Sequence, residues 1–97
     1  MQTFMISMKW TDQGIRTIKD AKKRVKAARD LGKKLGVEIK QLWLTNGESD
    51  LVSFVEAANG DNVAKFALSL GSYGNVHTRT ARAWSEQEYM KLVSELH

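Results

Sequence analysis

The chain has 97 residues, which is long enough to fold as one domain over residues 1–97. It has no cysteine, and this absence excludes a disulfide scaffold and thiolate chemistry. Its formal net charge of +4 hides a local excess, because nine Lys and Arg accompany only two Asp between residues 16 and 34. No apolar run approaches the thickness of a bilayer and the start lacks a signal peptide, so we expect a soluble cytoplasmic protein without a membrane partner.

The first predicted element is a strand over residues 3–10, in which apolar residues alternate from Phe4 to Trp10. Residues 11–14 have the composition of a turn, and a short helical turn is predicted after them. A longer amphipathic helix is predicted from Asp20 to Leu35, since its apolar residues recur at three- and four-residue steps while Lys and Arg fill the other side. Gly36 is placed to end this helix in a left-handed conformation.

Two apolar strands are predicted over residues 37–45 and 50–57. Asn46 and Gly47 between them predict a tight hairpin turn in which both residues adopt positive φ. The centres of both strands are apolar on both faces, whereas a sheet covered on one side only alternates apolar and polar residues. This pattern predicts a second sheet packed on the open face, supplied by an identical chain through two-fold symmetry.

A second helix is predicted over residues 62–70, capped by Asn59-Gly60-Asp61, and a fourth strand over residues 75–84. Ser85 and Glu88 form a capping box that opens a last helix, whose apolar residues we expect to pack on a sheet edge or on a partner. The order βαββαβ, with the extra C-terminal helix, is typical of the α+β ferredoxin-like fold. Together with the two-sided apolar strands, it predicts a dimeric α/β barrel.

Three segments of the chain resemble the GYD-domain family of small bacterial and archaeal proteins. They are MKWTDQGIRTIKD (Met8–Asp20), LTNGESDLV (Leu44–Val52) and GNVHTRTARAW (Gly74–Trp84). The family's Gly-x-Tyr-Asp signature falls on residues 47–50, where Ser49 stands in place of the usual tyrosine. The resemblance implies a ferredoxin-like dimeric barrel with no established activity.

Polar residues at the strand ends are the candidate ligand-binding residues: Lys9, Thr11, Asp50, His77 and Arg79. We expect the first strand to lie between the third and fourth, which would bring these residues to one cavity enclosed by the dimer. Arg79 and Lys9 suit a carboxylate or another anion, but Arg79 is equally suited to pair with Asp50 or Glu56. His77 is the candidate general base, with a purely structural role as the alternative.

Neither a metal nor another cofactor is expected, because two histidines and no cysteine provide no metal-ligand spacing. The leading functional hypothesis is therefore a homodimer or larger homo-oligomer that binds a small, anionic ligand inside the barrel. One alternative is a non-catalytic assembly or regulatory module, in which Met5, Trp43 and Phe54 fill the barrel. The other is nucleic-acid binding through the basic first helix. Residues 51–57 lack the aromatic motif of RNA-recognition modules, which argues against nucleic acid.

Overall fold

The computed structural model describes all residues from 1 to 97 and contains four strands and four α-helices. The strands are β1 (Gln2–Trp10), β2 (Val37–Leu44), β3 (Leu51–Ala57) and β4 (Val76–Ala83). The helices are α1 (Asp12–Arg16), α2 (Ala21–Leu35), α3 (Gly60–Ser72) and α4 (Glu86–Ser94), and a 3₁₀ turn (Ile18–Asp20) joins α1 to α2. Each predicted element is present, with bounds that differ by a few residues.

The four strands form one antiparallel sheet in the order β2-β3-β1-β4. This order confirms that β1 lies between β3 and β4. Helices α2 and α3 cover one face of the sheet, as expected of a ferredoxin-like arrangement, and the other face is open. The fold is therefore a mixed α+β fold with one open sheet.

The hydrophobic core lies between the sheet and the two covering helices. Its buried apolar residues are Phe4, Ile6, Met8, Val37, Val55, Ala57, Val63 and Phe66. Helix α2 buries only Gly32 completely, and the apolar side chains that face the sheet are half-buried. A Cβ atom on Gly32 would lie 2.5 Å from the carbonyl oxygen of Val37, so this glycine lets the C-terminal half of α2 approach the start of β2.

The connection between β2 and β3 differs from the predicted turn. The Thr45 amide donates to the Asp50 carbonyl at 2.8 Å, and the Thr45 hydroxyl donates to the Ser49 carbonyl at 2.5 Å. Residues 46–49 thus form a four-residue loop, and neither Asn46 nor Gly47 has a positive φ. The hairpin predicted across residues 46–49 is confirmed. The positive φ expected at Asn46 and Gly47 is absent, because this four-residue loop reverses the chain without left-handed residues.

The helix ends follow the predicted capping residues. Gly36 ends α2 with φ of 73°, in the left-handed conformation that glycine adopts without strain. The side chain of Asn59 accepts a hydrogen bond from the Asn62 amide at 3.1 Å and caps α3. Ser85 and Glu88 form the predicted capping box of α4. Helix α3 extends to Ser72, beyond its predicted end.

Candidate functional site

The open face of the sheet carries an apolar surface that no other part of the chain covers. Strand register places Met5 between Phe54 and Ala81, and Val52 beside Trp43. Met5, Val52 and Phe54 are half-buried by their neighbours within the sheet, while Trp43 is 58% exposed. The prediction of apolar residues on both faces is confirmed for the centre of β3, where Val52 and Phe54 lie on the open face, whereas β2 contributes only Trp43 beside the polar Gln41. We refer to Met5, Trp43, Val52, Phe54 and Ala81 as the open-face patch.

Three of the predicted ligand-binding residues lie together beside this patch. Lys9 is opposite His77 across the β1–β4 pair, and Arg79 is opposite Ser7, so all three side chains are on the open face and exposed. We call Lys9, His77 and Arg79 the polar cluster. The ion pairs in the structure are Lys26–Asp30, Lys40–Glu38 and Arg82–Glu88. Arg79 therefore pairs with neither Asp50 nor Glu56, and its charge is directed to solvent.

The other two predicted site residues bind backbone at the end of β1. The Asp50 carboxylate accepts a hydrogen bond from the Trp10 amide at 2.9 Å. The Thr11 hydroxyl accepts from the Gly14 amide at 3.0 Å, which caps α1, and donates to the Gly74 carbonyl at 2.5 Å. These side chains fix the chain path next to the polar cluster.

Helix α4 is the second uncovered apolar surface. None of its residues is buried, and its apolar side chains, together with those just before and after it, are 44–74% exposed: Trp84, Tyr89, Met90, Leu92, Val93 and Leu96. The alternative that α4 packs on an edge of the sheet of its own chain is wrong. The polar contacts that attach the helix to β4 and the preceding residues lie in its first turn, and its apolar side chains are largely exposed to solvent.

Arg82, which was not among the predicted site residues, makes this attachment. Its guanidinium lies 4.6 Å from the centre of the Trp84 ring and donates to the Thr3 carbonyl at 3.1 Å. The same group is 4.0 Å from the Glu88 carboxylate in the first turn of α4. Arg82 occupies the helix-covered side of β4 opposite Phe4, where a charged residue is unusual. In the sequence, the one sign of this role is that Arg82 occupies a position of the strand pattern where an apolar residue is expected.

Glu88, the acidic residue of the capping box, has a lowered pKa. A hydrogen bond from the Ser85 amide at 2.9 Å lowers the pKa of Glu88 below its ordinary 4.5, and the Arg82 charge acts in the same direction. Because the folded-state pKa is the lower one, this hydrogen bond stabilises α4 above the unfolded-state pKa. That contribution is lost as the pH falls through the folded-state value. The carboxylate is thus ionised and holds α4 in place at neutral pH.

The basic residues of α2 lie on its solvent side. The exposed ones are Lys22, Lys23, Lys26, Arg29, Lys33 and Lys34. Lys26 donates to Asp30 at 3.0 Å, and this hydrogen bond lowers the pKa of Asp30. The charge excess seen in the sequence is therefore a solvated helix face on the covered side of the sheet, remote from the polar cluster.

The arrangement of side chains and the lengths of the helices bear on two kinds of site, a metal centre and a membrane span. No group of three or more His, Cys, Asp or Glu side chains is arranged to hold a metal ion. None of the four helices combines the length and apolar character needed to cross a bilayer.

Comparison with known proteins places the chain in a family. The sequence profile of the GYD domain matches residues 4–93, a span that reaches from β1 into α4. The chain belongs to the GYD-domain family. The match confirms the resemblance carried by the three sequence segments. It includes both the open-face patch and nearly all of α4, so both surfaces are part of the GYD domain.

One relative of this GYD-domain protein has a described binding role. It is a protein of Thermus thermophilus, described as a "Glutamine synthetase and cystathionine beta-lyase binding protein". The two sequences are 33% identical over 84 residues, which cover 86% of this chain and 88% of the relative. The description assigns the relative two enzymes as binding partners.

Proposed function

We propose that this GYD-domain protein is a protein-binding module that pairs with a second copy of itself and binds an enzyme. The observation that carries this proposal is the presence of two apolar surfaces, the open-face patch and α4, that the chain leaves uncovered. Large exposed apolar patches are uncommon on monomeric proteins and mark interaction sites. The binding role described for the Thermus relative supports the same conclusion.

The open-face patch is assigned to self-association. In a two-fold dimer each copy uses the same surface, so the apolar centre of one sheet meets the apolar centre of the other. Stacked sheets pack at about 10 Å, a distance that Met5, Trp43 and Phe54 can fill. The polar residues would then lie at the ends of the interface. This arrangement is the dimeric α/β barrel predicted by the sequence.

Helix α4 is assigned to the partner enzyme. An amphipathic helix with one apolar side commonly binds by laying that side in a groove of its partner. Tyr89 and Met90 are residue types enriched at protein interfaces. Because Arg82 and the capping box hold only the first turn, the rest of α4 is accessible to a partner. In this proposal a second copy of the chain covers the open-face patch, and the partner enzyme covers α4.

We expect the full chain to bind immobilised glutamine synthetase or cystathionine β-lyase saturably in surface plasmon resonance. Leu92→Glu, which places a charge on the apolar side of α4, should weaken binding at least about tenfold, because an unpaired charge would be buried in the groove. Gln87→Glu adds the same charge at an exposed polar position of α4 and should bind as the wild type does. Far-UV circular dichroism checks that both variants retain the helix.

Failure of the wild type to bind either enzyme would contradict the proposed partner class. Wild-type affinity in Leu92→Glu would contradict the assignment to α4 while leaving the protein-binding role in place.

The polar cluster supports a second candidate function, the binding of a small anion between the two sheets. Lys9 and Arg79 bring two positive charges to one end of the open face, and neither has a carboxylate partner. In this proposal Arg79 is the anion anchor, Lys9 the auxiliary cation and His77 the candidate acid or base. Asp50 and Thr11 hold the neighbouring backbone.

Native mass spectrometry of the purified protein tests this candidate. The wild type should retain a small molecule, and Arg79→Ala should lose it while the dimer persists, because a guanidinium is the strongest carboxylate anchor available there. Lys23→Ala removes an exposed cation from the remote α2 face and should retain the molecule. Equal retention by Arg79→Ala would exclude this arginine as the anchor.

A further inference from the structure

A cavity of about 240 Å³ lies on the covered side of the sheet, opposite to the side that carries the polar cluster. Fifteen of the eighteen residues that line it are apolar. Its walls include Ile6, Met8 and Leu51 from the sheet, Val25 and Ala28 from α2, and Leu70 from α3. The cavity is therefore a space between α2 and the sheet that opens partly to solvent and that the chain's own side chains leave unfilled.

The way α2 packs explains the unfilled space. The helix touches the sheet closely at Gly32, where a side chain would meet the backbone of Val37. Towards its N-terminus the helix presents Ala21, Val25 and Ala28 to the cavity, and all three are only half-buried. Small side chains at these positions cannot reach the sheet. Protein interiors normally pack without voids of this size, so the space is suited to a ligand.

The volume sets the size of that ligand. An apolar cavity of about 150 Å³ stays free of water and binds benzene, so by proportion this cavity accepts a molecule of roughly ten non-hydrogen atoms. The hydroxyl of Ser53, which also lines the cavity, donates to the Gln41 carbonyl at 2.9 Å. Its single O–H donor is already used, so Ser53 offers a ligand acceptor lone pairs but no donor.

Arg24 gives the cavity a charged group. The side chain is half-buried and lines the cavity together with Tyr73 and Asn75. Its guanidinium donates to the Thr17 hydroxyl at 3.0 Å and to the Gly14 carbonyl at 3.1 Å, and it belongs to none of the three ion pairs. A guanidinium has five N–H donors, so donors remain for a carboxylate.

We infer that this cavity binds a small carboxylic acid whose body is aromatic or branched alkyl. The body fills the apolar space, and the carboxylate pairs with Arg24. No Asp or Glu lines the cavity, so a zwitterionic amino acid would bring in an ammonium group without a partner and would bind more weakly. The site is separate from both the open-face patch and α4, and it does not rest on the proposed function.

Isothermal titration calorimetry of the full chain tests the inference with 3-phenylpropionate, the neutral amide of the same acid, and phenylalanine. The acid should bind, and the amide and the amino acid should bind at least about tenfold more weakly, because charged hydrogen bonds to the guanidinium are lost or opposed. Arg24→Gln should remove the preference for acid over amide. Lys22→Gln, an exposed cation on the same helix, should leave it unchanged.

A second variant tests the cavity itself. Ala28→Phe places a ring in the apolar space and should abolish binding of both the acid and the amide, with the fold checked by circular dichroism. If Arg24→Gln does not fold, two measurements still test the inference. One compares binding of the acid and the amide to the wild type, and the other measures binding of the acid to Ala28→Phe. Absence of acid binding to the wild type would overturn the inference, as would undiminished binding to a folded Ala28→Phe variant.

Discussion

Phe54→Glu is expected to convert the proposed dimer of this GYD-domain protein into a monomer. Phe54 lies in the middle of the open-face patch, between Met5 and Gln41 on the neighbouring strands. In the proposed dimer, two-fold symmetry would bury two unpaired carboxylates near each other, and each buried unpaired charge costs several kcal/mol. We therefore expect self-association to weaken by a factor of at least about a thousand.

Leu68→Glu is the matched control for this change. It also replaces an apolar residue with glutamate, but at a position on α3 that is 75% exposed on the covered side of the sheet. Size-exclusion chromatography with light scattering should show a dimer for Leu68→Glu and a monomer for Phe54→Glu. A dimer in both variants would show that the open-face patch is not the interface.

The second large effect is expected from Gly14→Ala, which should destabilise the fold by about 2 kcal/mol. Gly14 is buried in α1, and a Cβ atom there would lie 2.0 Å from the carbonyl oxygen of Asn75. That backbone oxygen already accepts a hydrogen bond from the Thr11 amide at 3.0 Å. It therefore cannot move away from an added Cβ atom without breaking the contact between α1 and the start of β4. This strain outweighs the gain of about 1 kcal/mol in helix propensity.

Gly71→Ala provides the comparison within the same chain. A Cβ atom on Gly71 would meet no other atom within 4 Å, and the residue is helical, so alanine should leave stability unchanged or raise it by up to about 1 kcal/mol. Urea denaturation at equal protein concentrations measures both variants. Equal stability of Gly14→Ala and the wild type would contradict the close contact at Asn75.

Local patterns in the sequence predicted most of the fold. Two-residue alternation identified the strands, and capping residues such as Asn59 and Ser85 marked the helix starts. The loop between β2 and β3 was located correctly, but its backbone conformation was not, and a contact that no local pattern indicates adjoins it. The Asp50 carboxylate binds the Trp10 amide, 40 residues away in sequence. The irregular register between Ile39 and Gln41 also had no local indication.

The candidate site could be predicted only where alternation decides the face. This was sufficient to place Lys9, His77 and Arg79 on one side of the sheet. It could not show that the side chain of Thr11 binds backbone, because that depends on Gly74, 63 residues away. The cavity beside Arg24 was also beyond prediction. An apolar helix stripe indicates which side of α2 faces the sheet, but not how closely it packs.

Sedimentation equilibrium of the wild-type protein measures most directly whether the open face is covered in solution. One chain has a mass of 10.9 kDa. We predict a mass of twice this value, or a higher multiple, that persists on dilution into the micromolar range. A mass of one chain, maintained at high protein concentration, would contradict self-association through the open-face patch.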